Sequence, residues 1–132
     1  MAGLSAGACR FRSHERLHRP VEFAAVLASP LRLRSGCFEL RFKNHETKEA
    51  SAPSGARLGL IVPKRLARRA VLRNLLKRLA REAFRQASGP LPAVDMVLRL
   101  VKPPLPAARR VDQAMRQSWR QSIDELLAGL GR

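Results

Sequence analysis

The sequence predicts an α+β or α/β-like domain in the order helix, strands, helix, strand, helix, and three observations support that class. Apolar residues alternate over 38–42 and again over 58–62, the period-two signature of half-buried strands. From Leu66 to about Ala87 the apolar period lengthens to helical spacing, through Val71, Leu72, Leu75, Leu76, Leu79, Ala83 and Phe84. The run from Val94 to Val101 is apolar on both faces apart from Asp95 and Arg99, as expected of a strand inside a sheet.

Each element has its own local cause. In "RPVEFAAVLAS", Val21, Phe23, Ala24, Val26 and Leu27 share a helical face, with Pro20 suited to start the helix and Pro30 to end it. "FELRF" puts Phe38, Leu40 and Phe42 on one side and Glu39 and Arg41 on the other. The polar stretch Lys43 to Gly55 reads as a loop. In "RLGLIVPK", Leu58, Leu60 and Val62 face one way, and Pro63 ends pairing because it has no N–H for the ladder. The long helix that follows spans about 30 Å. After "SGPLP", the strand Val94 to Val101 and "KPPLP", a last helix from around Ala108 to Leu127 buries Met115, Trp119, Ile123 and Leu126. Asp112 is placed to cap it, and Asp95 reads as a sheet-edge group.

At 132 residues the chain is one domain's worth. Residues 1–14 lack periodicity and read as a flexible basic arm, and 15–132 as a single domain. The formal charge is +16, with 21 arginines among 26 basic residues. Self-repulsion on that scale opposes folding and points to a polyanionic partner. Arginine grips phosphate through two parallel hydrogen bonds and stacks on bases, so RNA or DNA is favoured over a membrane surface. No apolar run reaches the roughly 18 residues of a membrane span, and the N-terminus lacks a signal peptide's apolar centre. Cys9 and Cys37 have no CxxC spacing, which fits a reducing cytoplasm. His14, His18 and His45 show no metal-ligand spacing.

Arg69, Arg73, Lys77, Arg81 and Arg85 recur every four residues, each about 40° around the axis from the last, forming a slowly winding cationic stripe. Arg68 and Arg78 widen it, and Asn74 adds a side chain that both donates and accepts. Between Arg57 and Arg85 there are ten basic residues and one acid, Glu82, so salt bridges within the helix cannot neutralise the stripe. A stripe of this kind also suits a general basic RNA-binding protein of ribosomal or RNA-chaperone type with no role in cleavage.

The segment "RLGLIVPKRLARRAVLRNLLKRLAREAFR", Arg57 to Arg85, resembles the protein subunit of bacterial ribonuclease P, the ribonucleoprotein that removes the 5′ leader of precursor tRNA. Arg57, Gly59, Lys64, Ala70, Val71, Arg73, Asn74, Lys77, Arg78, Arg81 and Glu82 fall on matching positions. Weaker similarity runs through "RLHRPVEFAAVL", "GCFELRF" and "DMVLRLVKP". The chain departs from the family pattern at Leu75, where a second arginine is expected, and at Leu27 and Arg41, where aromatics are expected.

The resemblance implies a compact two-layer sandwich, α-β-β-β-α-β-α, around a mixed sheet, with a left-handed βαβ crossover carrying the basic helix. It implies an RNA-docking surface made of Arg57, Lys64, Arg65, Arg68, Arg69, Arg73, Asn74, Lys77, Arg78 and Arg81. It implies a cleft for the single-stranded leader at Phe23, Phe38 and Arg41, where rings can stack on bases. The implied partners are ribonuclease P RNA and precursor tRNA, with no membrane and no small-molecule substrate. Catalytic groups belong to the RNA, with magnesium bound mainly there, so the chain is expected to be the subunit of an endoribonuclease without cleaving alone.

Overall fold

Four strands and three helices form in the expected order: α1 (Pro20–Leu27), β1 (Arg32–Ser35), β2 (Phe38–Asn44), β3 (Arg57–Ile61), α2 (Ala70–Ala87), β4 (Val94–Leu100) and α3 (Gln113–Gly129). They belong to a computed structural model that describes residues 16–44, 55–87, 93–104 and 110–130. The arm at 1–14 and most of the loop after β2 lie outside these residues.

The sheet runs β1-β2-β4-β3. β1 and β2 form an antiparallel hairpin whose two-residue turn begins at Gly36, where a φ of 59° favours a residue without a side chain. A Cβ there would also sit 2.7 Å from Ser122 Oγ, so α3 passes directly over the turn. β4 pairs antiparallel with β2 and parallel with β3. Its place between two partners explains why Val94, Met96, Val97, Leu98 and Leu100 are all buried. β3, α2 and β4 thus make the βαβ unit that carries the basic helix.

Helices pack on both faces of this sheet. One face presents Phe38, Leu40, Leu58, Met96, Leu98 and Leu100 to Leu72, Leu76, Phe84, Trp119 and Ile123 of α2 and α3. On the other, Leu17, Val26, Phe23 and Leu27 pack on Val97 and Ile61. Among the described residues, the short α1 is the one helix there, and it leaves part of the face uncovered. Ahead of it, Leu17 N–H donates to Leu58 O at 3.1 Å, and Arg16 bridges to the β3 edge.

Helix starts fall later than the apolar periodicity suggests. The N–H groups of Leu66 and Ala67 both donate to Pro63 O, forming a separate turn, and α2 winds only once Arg73 N–H reaches Arg69 O at 3.1 Å. Val71, expected on the apolar face, is 80% exposed because no element covers that side of the first turn. Val21 is exposed on α1 for the same reason. α3 begins at Gln113, where the Asp112 carboxylate accepts from Met115 N–H at 2.8 Å, a cap contributing about 1 kcal/mol. No helix of the described residues is long and apolar enough to cross a membrane.

Candidate nucleic-acid interface

α2 divides into two sides. Leu72, Leu76, Ala80, Ala83 and Phe84 are buried against the sheet and α3, which leaves Asn74 and Arg78 exposed on the outer side. Lys77, Arg81 and Arg85 flank them, half-buried along their apolar stems. Lys64, Arg65, Arg68 and Arg69 are exposed on the preceding turn. Nine of the ten residues expected to dock RNA therefore lie on one continuous segment, 64–81.

This segment is poorly neutralised. Among the described residues, Lys64, Arg65, Arg68, Arg69, Arg73, Lys77, Arg78 and Arg81 have no carboxylate within 4.0 Å. Glu82 instead turns toward Arg85 at 4.0 Å and Arg120 at 3.9 Å. Burial and the nearby Arg16 hold the Arg81 guanidinium below its ordinary pKa, and its Nε has no hydrogen-bond partner. No acid occupies the first turn of α2, although a helix N-terminus already carries partial positive charge. Arg73 is the exception in role, since its Nη1 donates to Ala67 O at 2.9 Å and Arg68 O at 2.8 Å, fastening the turn to the helix.

Arg57, also expected to dock RNA, is committed elsewhere. It faces the α1 side of the sheet, where its Nε and Nη2 grip both Asp95 oxygens at 2.8 and 2.7 Å and its Nη1 donates to Glu22 Oε2 at 2.8 Å. Asp95, on an interior strand, is thus an ion partner and not a sheet-edge group. The Glu22 carboxylate also accepts from the backbone N–H groups of Arg19 and His18, both at 2.9 Å. These bonds, Arg19's first and then His18's, outweigh the cost of burial and bring its pKa from 4.5 down to about 2, with Arg57 adding to the effect.

A carboxylate with a depressed folded-state pKa stabilises the fold above its unfolded pKa and loses that contribution as pH falls through the folded value. The Glu22 contribution is therefore complete above about pH 4.5 and gone near pH 2. Urea unfolding of wild type and Glu22→Gln should show a stability gap that closes over this window. A gap independent of pH would mean that Glu22 acts through shape alone.

Next to this knot, Glu39 is fully buried at the centre of four arginines. Arg34 Nε donates to its Oε2 at 3.0 Å, while Arg99 Nε and Arg41 Nε donate to Oε1 at 2.7 and 3.2 Å. Arg32 stands 3.9 Å away. Desolvation alone raises the Glu39 pKa, but the hydrogen bonds from Arg34, Arg99 and Arg41 outweigh it and keep the carboxylate ionised. Arg41 also donates through Nη1 to the carbonyls of Leu27 and Ser29, both at 3.1 Å, tying the end of α1 to the sheet.

The three expected cleft residues separate. Phe23, half-buried on α1, lies so close over the bare backbone of Gly59 that a Cβ there would come within 2.5 Å of its Cε1. Arg41 shares that sheet face. Phe38 does not: it is on the opposite face, 2% exposed within the core beneath α2 and α3. Its alternation with Leu40 and Phe42 puts all three on the apolar side. Sequence reading missed Glu39, Arg32, Arg34 and Arg99 as a group. The available signal was the placement of Arg34 and Glu39 symmetrically about the Gly36-Cys37 turn, which makes them direct cross-strand partners.

A cationic helix with its turn on one side of a sheet, and an arginine-rich half-covered face on the other, are the features of a nucleic-acid-binding protein. The sequence matches the Ribonuclease P family over residues 11–128. It is 43% identical over 117 residues to the ribonuclease P protein component of Bordetella parapertussis, covering 89% of this chain and 92% of that one. The counterpart from Azoarcus is 43% identical over 100 residues, covering 76% and 78%. The RNase P protein from Thermotoga maritima superposes with a TM-score of 0.66 at 28% identity, covering 86% and 94%. The Staphylococcus aureus protein shares the fold, with a TM-score of 0.61 at 22% identity over 88% and 91% of the two chains.

The chain belongs to the ribonuclease P protein family. It is the protein subunit of a ribonucleoprotein endoribonuclease and assists processing of the 5′ leader of precursor tRNA.

Proposed function

We propose that the chain docks the catalytic RNA through residues 64–81 and holds the leader of precursor tRNA on the α1 side of the sheet. The observation that carries this reading is the uncompensated charge of the 64–81 segment beside an acid-free helix start, a natural seat for phosphates. Lys64, Arg65, Arg68, Arg69, Arg73, Asn74, Lys77, Arg78 and Arg81 supply the docking contacts. Phe23 offers a ring edge to the leader, and Arg41 fixes α1 beside it. The partners are ribonuclease P RNA and precursor tRNA, the setting is the cytoplasm, and residues 1–14 add a basic arm to the RNA-binding domain.

Magnesium belongs with the RNA in this reading. The acids that face the sheet do not fit a protein-held site, because Glu22, Glu39 and Asp95 are each bound by arginine. No group of three His, Cys, Asp or Glu among the described residues could hold a metal. The protein's part is to bring two polyanions together and screen their phosphates.

Reconstituted cleavage at low magnesium, with and without the protein, tests the reading directly: the protein should restore processing. Arg78→Ala is the sharper docking variant, because Arg73 also holds the turn. It should weaken binding to the catalytic RNA about tenfold or more, the worth of one hydrogen bond to a charged group, while Arg116→Ala on α3 changes it less than about twofold. Equal losses in filter binding would reduce the motif to generic charge and favour a general RNA-binding role.

A further inference from the structure

The α1 side of the sheet is laid out in rows that cross the strands. One row reads Arg34, Glu39, Arg99 and Ile61 on β1, β2, β4 and β3, and the next reads Arg32, Arg41, Val97 and Gly59. α1 covers the apolar end of these rows, through Val26 and Phe23 on Val97, Ile61 and Gly59. The cationic end stays open, with the side chains of Arg34 and Arg99 57% and 33% exposed. Four arginines around one carboxylate leave a local charge of +3. Such a patch would repel itself apart in water, yet here its geometry is fixed by a shared acceptor.

We propose that Glu39 is a positioning residue that presents Arg32, Arg34 and Arg99 as a preset receptor for backbone phosphates of the leader, so that this chain reads the leader by charge instead of by base stacking. The inference rests on the assignment of the α1 side to the leader.

Arg34 holds Glu39 by Nε and Arg99 by Nε and Nη2, while Arg32 stands 3.9 Å from the same carboxylate. Among the described residues, Nη1 and Nη2 of Arg34 and Nη1 of Arg99 have no acceptor. These are the donors that pair with phosphate oxygens in a fork. Because the buried carboxylate already orients them, little rotamer freedom remains to be lost when a strand arrives. Arg41 contributes differently, since its Nη1 is held by the carbonyls that follow α1, which keeps the helix from sliding over the patch. Aromatic surface is scarce in the same place. Phe38 faces the core, and Arg41 stands where an aromatic is expected, so Phe23 is the ring at hand. A strand lying along this face meets several cations and one ring, which favours contacts common to all sequences.

The test uses holoenzyme reconstituted from the full chain and catalytic RNA, with precursor tRNAs carrying three leaders: unmodified, abasic with phosphates retained, and methylphosphonate with bases retained and charge removed. The neutral leader should raise KM about tenfold or more and the abasic leader by no more than about threefold, with kcat steady. The double variant R34A and R99A, confirmed folded by its urea unfolding, should raise KM for the unmodified leader and abolish the penalty of the neutral one. Glu39→Gln should raise KM several-fold without changing kcat, as expected for a residue that aims other groups. Affinity for the catalytic RNA should stay within about twofold in all variants. An abasic penalty as large as the neutral one would overturn the inference alone. So would a double variant that loses affinity for the catalytic RNA, since the patch would then belong to that partner. If wild-type holoenzyme binds leaderless and leader-bearing substrates equally, the assignment of this face to the leader itself fails.

Discussion

Between 50 and 200 mM monovalent salt, the affinity of this protein for ribonuclease P RNA is expected to fall by roughly three to four powers of ten. The expectation follows from the eight cations of the 64–81 segment that lack a carboxylate within 4.0 Å among the described residues. Each phosphate they neutralise releases condensed counterion, with a logarithmic slope of about −0.7 to −0.9 per contact. Eight contacts give a slope of about −6 to −7, and a fourfold rise in salt then costs about 10³ to 10⁴. Arg57 does not enter this count, because Asp95 and Glu22 already neutralise it. Filter binding over a salt series measures the slope. A value shallower than about −3 would mean that most of the ladder stays solvated in the complex.

The second large effect is on folding. Phe84→Ala should destabilise the protein by about 3–5 kcal/mol, a substantial part of the roughly 5–15 kcal/mol that holds a domain of this size together. Phe84 is completely buried on the sheet side of α2, so its removal leaves a cavity directly behind the cationic ladder. Val71→Ala on the same helix should change stability by no more than about 0.5 kcal/mol, because Val71 is exposed. Urea unfolding of the two variants separates these cases. Similar losses would mean that α2 does not seat on the sheet through Phe84. RNA binding by Phe84→Ala should weaken in step with the folded fraction, since the ladder has its geometry only while the core behind it is filled.

Much of this arrangement was legible in the chain. The change of period from two to 3.6 located α2 and its charged side, and the two-sided apolar run of β4 placed that strand inside the sheet. What the pattern could not carry was the identity of contacts made across long separations. Glu39 reads as the outward residue of a half-buried strand, yet it is the most enclosed acid among the described residues, because Arg99, sixty positions later, comes to it across β4. Arg57 reads as one more cation in a basic stretch, and only the pairing of β3 with β4 puts Asp95 beside it. Val71 fits the helical period but falls where no neighbour covers it. Phe38 shows the converse: its alternation with Leu40 and Phe42 already pointed to the core, and the role inferred from family likeness pulled it toward the wrong face.

The Arg57 knot has a mechanical consequence. A single five-residue strand, about 17 Å long, is riveted to α1 on one side of the sheet through Glu22. Its far end runs through Pro63 into the basic turn and α2. The two surfaces are therefore opposite jaws of one calliper, with β3 as the beam between them. On the proposed assignment of the two surfaces, that beam sets the span between an RNA seated on α2 and a strand held beside α1.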